Sequence, residues 1–210
     1  MVDLKELEKR AVQGDSDAML ALGWMYLGGD GLPEDHAKAY DWFSKAAEIG
    51  VGEAMFYLGM MCLEGDGVEE DMPGAIEWLR KSADAGCLQA MCQLGDMYSE
   101  GEVVDKNHAE ALRWYRRAAD MGYPEAMHNM GEAYFDGNGV DQDYNEALEW
   151  YRKAADAGEE PAMLKLLMMY ADGIGIERNL AEAKKWLGRL SESDSELIQD
   201  IVSNLKRRFS

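Results

Sequence analysis

Basic residues, cysteine and long apolar runs are all scarce in this chain of 210 residues. Lysine and arginine number 21 against 41 aspartates and glutamates, and a net charge of −20 disfavours nucleic acid as a partner. No apolar run approaches the ~18 residues that a membrane span needs, and Met1–Glu6 is charged, so we expect neither a membrane segment nor a signal peptide. Three cysteines cannot all pair, which favours a reducing compartment and predicts a cytoplasmic protein.

Groups that carry catalysis or bind metal ions are equally sparse. His36 and His108 follow predicted helix starts, where we expect them to be exposed to solvent, and the chain has no His-x-x-x-His or Cys-x-x-Cys motif. The segment from Asp136 to Asn138 is similar to the start of a calcium loop, but Asp141 stands where that loop requires glycine. The glycine-rich turns lack the Lys-Ser/Thr ending of phosphate-binding loops. We therefore expect no catalytic residue, no metal site and no cofactor.

The chain does contain a repeat. Tryptophan and an Ala-Met dipeptide each recur at intervals of 36 residues. The tryptophans are Trp42, Trp78, Trp114, Trp150 and Trp186, and the dipeptides begin at Ala18, Ala54, Ala90, Ala126 and Ala162. This spacing divides the chain into five units, 18–53, 54–89, 90–125, 126–161 and 162–197, after an N-terminal capping half-unit, 1–17. Because no linker or shift in composition separates the units, we expect one repeat domain over 1–210.

Each unit has the pattern of two helices joined by a glycine-rich turn. The first helix opens at Ala-Met with apolar residues at helical spacing, and its turn has a second glycine in every unit except the third, where Val103 predicts a different turn. The second helix begins at an N-cap type of residue: Asp35, Asp71, Asn107, Asp143 or Asn179. Three of these caps precede a glutamate at the spacing of a capping box, as in Asn107 and Glu110. The recurrence of the tryptophans on this helix predicts that all five lie in the core.

This pattern resembles the Sel-one-like repeat family, helix-turn-helix relatives of the tetratricopeptide repeat. It is clearest in the fourth unit, at Ala126, Met130-Gly131, Tyr134, Gly137-Asn138-Gly139-Val140, Asp143, Ala147, Trp150-Tyr151-Arg152-Lys153-Ala154-Ala155 and Gly158. Departures at Cys62, Leu167 and Leu190-Ser191 include two in the fifth unit, which is therefore interpreted as an adapted terminal unit. The resemblance implies an all-α fold, a right-handed α-solenoid of five repeats. We expect a C-terminal capping helix over about 194–209, with Leu197, Ile201 and Leu205 on one stripe.

In the tetratricopeptide class the first helices line a concave groove, so the resemblance implies where a partner would bind. The candidate partner-binding residues are Leu20, Trp24, Leu27, Phe56, Met60, Leu63, Asp96, Glu100, His128, Glu132, Phe135, Asp136 and Met168. Trp24 lies outside the register of the other tryptophans, which makes it the best anchor unless the N-terminal half-unit covers it. Leu20 and Leu164 fit the core equally well, whereas we expect Asp96 and Glu132 to remain unburied because unpaired carboxylates resist desolvation.

These observations predict a non-enzymatic, monomeric scaffold. Its expected partner is a basic, amphipathic peptide or helix that binds the acidic and apolar groove. Two alternatives stay open. Solenoid ends can stack into a self-assembling structural protein, and some family members have been linked to cell-wall chemistry, which would make the chain a hydrolase although nothing in it resembles an acyl-transfer site.

Overall fold

The computed structural model describes residues 4–29, 31–193, 195 and 198–203, and these form helices and turns with no strand among them. The helices are α1 (Leu4–Val12), α2 (Ser16–Gly28), α3 (His36–Glu48), α4 (Gly52–Glu64), α5 (Met72–Asp84), α6 (Leu88–Glu100), α7 (His108–Asp120), α8 (Pro124–Asp136), α9 (Tyr144–Asp156), α10 (Glu160–Asp172) and α11 (Leu180–Leu190). Residues 198–203 are helical as well. The predicted fold class, all-α with a pair of helices in each repeat, is confirmed. None of the described helices has both the length and the apolarity to cross a bilayer.

The second helix of each repeat begins where the sequence predicts. In repeat three the side chain of Asn107 accepts a hydrogen bond from the Glu110 N–H at 3.1 Å, and the other four caps do the same in their own repeats. The N–H of the cap residue does not serve a capping box, however. It donates to a carbonyl of the first helix, as from Asn107 to Tyr98 at 2.7 Å and from Asp143 to Tyr134 at 2.9 Å. This bond ties the two helices of each repeat together across the turn.

The two turn glycines have different functions. The first, such as Gly137 with φ 76°, ends the first helix in the left-handed conformation. The second lies against the preceding repeat, because a Cβ on Gly67 would stand 2.4 Å from the carbonyl carbon of His36 and one on Gly139 would stand 2.8 Å from that of His108. Val103 occupies this position in repeat three without a positive φ, so its turn differs from the others, as predicted.

The prediction that all five tryptophans are core residues is wrong for three of them. Trp150 and Trp186 are 6% and 3% exposed, but Trp42, Trp78 and Trp114 are only half-buried. Lysine or arginine side chains cover these indoles, as Lys45 Nζ does 3.8 Å from the ring centre of Trp42. The residue after each tryptophan is buried in every repeat: Phe43, Leu79, Tyr115, Tyr151 and Leu187.

The chain divides into two compact units, one formed by Met1–Met97 with Glu102–Val104 and the other by Tyr98–Gly101 with Asp105–Ser210. In the first unit α1 packs on α2 and buries Leu7 and Ala11. In the second unit the segment 198–203 contributes Ile198 and Val202 to the core, and Ile201 is half-buried. Leu197 and Leu205, which we expect on the stripe of a capping helix, lie outside the described residues.

Candidate partner-binding site

Trp24 stands at the exposed edge of a cluster of four aromatic rings in the first unit. Trp24 as a residue is 38% exposed, and its indole packs edge-on against Tyr57, with ring centres 4.1 Å apart, and against Phe43 at 5.8 Å. Tyr57 in turn stacks on Phe43 at 5.3 Å and meets Phe56 at 5.1 Å. Tyr57 belongs to repeat two, so the packing of one repeat on the next accounts in part for the position of this indole. The cluster holds Trp24 in one orientation while leaving part of the ring in solvent.

An apolar cleft lies beside this tryptophan, between α1 and α2. This Trp24 cleft has a volume of about 490 Å³. It is lined by Leu7, Arg10, Asp17, Ala18, Ala21, Trp24 and Met25. The Arg10 guanidinium is held by Asp15 at 2.7 Å, so the rim carries one paired base and the exposed carboxylate of Asp17. The N-terminal half-unit therefore forms a wall of the cleft, and Trp24 nevertheless stays 38% exposed.

The composition of the cleft differs from that of the groove implied by the resemblance. Leu20, Leu27, Phe56, Met60 and Leu63 are half-buried and do not line it. Its lining comes from α1 and from the face of α2 that carries Ala21 and Met25. Helical spacing from Trp24 provides a signal for Ala21 and Asp17, which come three and seven residues earlier. No pattern within α2 indicates Leu7, because the contribution of α1 depends on how the two helices pack.

Glu132 occupies the register of Trp24 in repeat four, and it is half-buried and paired within the second unit. Its carboxylate accepts hydrogen bonds from the Tyr151 hydroxyl and from Lys165 Nζ, the latter at 2.9 Å. Burial raises the pKa of Tyr151 far above its usual value, so the phenol keeps the proton that it donates. His128 Nε2 lies 3.5 Å from the same carboxylate, and burial lowers the pKa of His128. Glu132 keeps 30% of its side chain exposed, in keeping with the expectation that it is not buried, and its pairing with Lys165 and Tyr151 offsets the cost of partial desolvation.

The other candidate residues of the second unit differ in exposure. Glu100, Asp136 and Met168 are exposed, and His128 is half-buried. Phe135 packs edge-on against Tyr144, with ring centres 5.2 Å apart. Asp96, which lies on α6 in the first unit, is half-buried and engaged in contacts of its own.

His36 and His108 are less exposed than the sequence predicts. Both are half-buried. His36 Nδ1 bonds to the Asp66 carboxylate, and Nε2 lies 2.8 Å from Glu34, so the imidazole joins the turn of repeat two to the start of α3. His108 lines a small polar cavity of about 150 Å³ together with Asn129.

Acidic residues end four of the five first helices. These residues are Glu64, Glu100, Asp136 and Asp172, all exposed, and we call them the acidic ends. None of the first helices, in the residues described, has a base in its last turn, whereas each second helix after α1 has one. Negative charge at a helix C-terminus is disfavoured by about 0.3–1 kcal/mol, since it meets the negative end of the helix dipole. The acidic ends therefore do not stabilise their own helices.

Comparison with known proteins identifies the repeat. The model of the Sel1 repeat matches residues 16–51, 52–87, 88–123, 124–159 and 161–195. A protective antigen of uropathogenic Escherichia coli with an SLR fold is 39% identical, with a TM-score of 0.86 over 98% of this chain. The chain spans only 44% of the length of that antigen.

Two further solved structures extend the comparison. A Sel1 repeat protein from Oxalobacter formigenes is 33% identical, with a TM-score of 0.80 over 90% of this chain and 76% of its own. An immunity protein from Pseudomonas aeruginosa shares the fold at 22% identity, with a TM-score of 0.61 over 88% of this chain and 71% of its own. None of the curated proteins matches the chain.

Proposed function

Because the chain belongs to the Sel1 repeat family, whose members generally mediate protein–protein interactions, we propose that it binds a basic, amphipathic segment of a partner protein. The family is one of non-enzymatic repeat scaffolds, and the proposed function is accordingly binding without catalysis. We also propose that the chain acts as a monomer in the cytoplasm. The odd number of cysteines supports that location. The Trp24 cleft is the observation that carries the proposal.

The cleft offers an anchor point for one apolar side chain of the partner. Its volume of about 490 Å³ accommodates a leucine or phenylalanine side chain, and tryptophan is among the residues that contribute most to binding at interfaces. Tyr57 and Phe43 hold the indole in place before the partner arrives. A side chain that is already fixed loses little conformational entropy on binding, which favours affinity.

Basic residues of the partner would be attracted by the acidic side chains of the first helices. Asp17 stands exposed on the rim of the Trp24 cleft, and the acidic ends carry charge that their helices do not neutralise in the last turn. Together with a net charge of −20, these carboxylates steer a cationic segment towards the chain and raise its rate of association.

Selection of short random peptides by the full chain tests the proposal. We expect the selected peptides to share a leucine or an aromatic residue next to lysine or arginine. Trp24→Ala should weaken their binding about 30-fold, which corresponds to the ~2 kcal/mol of a binding hot spot. The matched control is Met121→Ala, which removes a 55% exposed apolar side chain from the end of a second helix and should leave binding unchanged.

The proposal is wrong if Trp24→Ala binds these peptides as tightly as the parent chain, with the helical circular dichroism of both intact. It is also wrong if the selected peptides are acidic. Sedimentation over a concentration series tests self-assembly. If the parent chain self-associates and Trp24→Ala does not, the cleft binds a second copy of the chain.

A further inference from the structure

A second cleft, in the second unit, has the opposite charge. It lies between α7, α8 and the turn after α8, and has a volume of about 500 Å³. Leu112, Met130 and Val140 form its apolar surface, while Arg113, Arg116 and Arg117 of α7 line it with positive charge. Asp120 is the one acidic residue among the side chains that line it. We call it the arginine cleft.

The arginine side chains of this cleft are held in place by contacts that leave them accessible. Arg116 donates to the Tyr134 hydroxyl at 3.4 Å, and its guanidinium carbon lies 4.9 Å from the ring centre of Trp150. Arg113 bonds to Glu110 at 3.0 Å and keeps 79% of its side chain exposed. A guanidinium has five N–H donors. Arg116 therefore retains donors for a ligand after its bond to Tyr134.

The charge of the arginine cleft is opposite in sign to the net charge of the chain. The chain has 41 acidic and 21 basic residues, yet basic side chains outnumber acidic ones in this cleft. The net charge of −20 repels a long polyanion such as nucleic acid. A short segment with one or two carboxylates meets the local positive charge and avoids most of that repulsion, because exposed charges are screened beyond about 10 Å at moderate salt.

We propose that the arginine cleft binds an acidic, hydrophobic peptide segment of a second protein partner. One aliphatic or aromatic side chain of the peptide packs on Leu112, Met130 and Val140. A neighbouring aspartate or glutamate accepts hydrogen bonds from Arg116 and Arg113, since a guanidinium matches a carboxylate with two parallel N–H donors. The chain then joins two partners of opposite charge, one at the Trp24 cleft and one at the arginine cleft.

Fluorescence anisotropy with a designed panel of peptides tests this inference on the full chain. The probes alternate aspartate or glutamate with leucine or phenylalanine, and matched peptides carry lysine for the acids or serine for the apolar residues. We expect only the acidic, hydrophobic peptides to bind. The double variant Arg113→Glu, Arg116→Glu should weaken that binding at least about tenfold, which is the effect of ~1.4 kcal/mol.

Two controls separate this site from general electrostatics and from the Trp24 cleft. Arg80→Glu reverses a charge at the register of Arg116 in repeat two and should change binding by much less. Trp24→Ala should leave the affinity for the acidic peptides unchanged, so that failure at one cleft does not imply failure at the other. Val140→Ser, which keeps every arginine, should weaken binding through the apolar surface alone.

Several outcomes would overturn the inference. Equal losses in Arg116→Glu and Arg80→Glu would show a nonspecific charge effect, and equal binding of the acidic and lysine peptides would exclude charge recognition. Displacement of the peptides by inorganic phosphate at equal strength would indicate a small-anion site. If the chain binds an oligonucleotide and Arg116→Glu abolishes that binding, the cleft is a nucleic-acid site. If the chain self-associates in sedimentation and Arg116→Glu abolishes the association, the cleft binds a second copy.

Discussion

The tryptophans that recur every 36 residues differ in how deeply they are buried. Trp186 is 3% exposed, whereas Trp114 is half-buried and covered on one side by Arg117, whose guanidinium carbon lies 5.5 Å from the ring centre. Trp186→Ala should therefore lower the free energy of unfolding by about 3–5 kcal/mol, as a large-to-small core change does. Trp114→Ala should cost clearly less. Urea unfolding of both variants measures the difference, and equal losses would show that the two indoles contribute equally.

The imidazole of His36 makes the first unit sensitive to pH. The bond to Asp66 raises the pKa of His36 above its ordinary value of 6.5, so the folded chain holds this proton more tightly than the unfolded chain. This contribution is fully present below pH 6.5 and is lost as the pH rises through the raised pKa of the folded state. His36→Gln should therefore destabilise the chain more at about pH 6 than at about pH 9. Urea unfolding at the two pH values tests this, and an equal loss at both would contradict it.

Among the elements of the repeat, the turn has the strictest steric requirement. Gly139 combines a φ of 78° with a position where a Cβ would meet the backbone of His108 at 2.8 Å. Gly139→Ala should cost more than about 1 kcal/mol, because it adds a steric clash to the left-handed strain. Gly188 lies inside α11 with open space around its Cβ position, so Gly188→Ala should stabilise by about 0.5–1 kcal/mol. In thermal unfolding, the melting temperature should fall in Gly139→Ala and rise in Gly188→Ala. A shift in the same direction in both variants would contradict this account of the turn.

The helix pairs and their caps were predictable from the sequence because each depends on local chemistry. Asn107 caps α7 and Gly137 ends α8 through their own backbone and side-chain geometry, which recurs in every repeat. The depth of Trp114 was not predictable in this way. Adjacent residues on a helix are about 100° apart, so the tryptophan and the residue after it can both face inward, and repetition alone does not say which lies deeper.

The candidate site was less predictable because its side chains meet across helices. Lys165, which pairs with Glu132, comes from the next repeat, and the aromatic support of Trp24 comes from α3 and α4. A pattern within one helix indicates which residues share a face, and it does not indicate their partners on a neighbouring helix. Trp24 was nevertheless identified by its departure from the repeat register.

For the molecule as a whole, the acidic ends connect stability with binding. Neutralising Glu64, Glu100 and Asp136 together, as Gln, Gln and Asn, removes charge that faces the negative end of three helix dipoles. The triple variant should gain up to about 0.3–1 kcal/mol per site in the free energy of unfolding, with its helical circular dichroism unchanged. The same variant should associate more slowly with the basic peptides selected through the Trp24 cleft, because long-range attraction mainly sets the rate of association.

Stopped-flow measurement of association at low and high salt tests the second half of this prediction. The parent chain should lose association rate as salt rises, and the triple variant should depend less on salt, since screening acts on the charges that the variant has lost. The dissociation rate should change little, because Trp24 and its cleft are left intact. Glu48→Gln is the matched control, since it neutralises an exposed acid at the end of a second helix that has Lys45 in its last turn. A triple variant that associates as fast as the parent at low salt would show that the acidic ends contribute only to hydration of the surface, and the proposed preference for a basic partner would then be wrong.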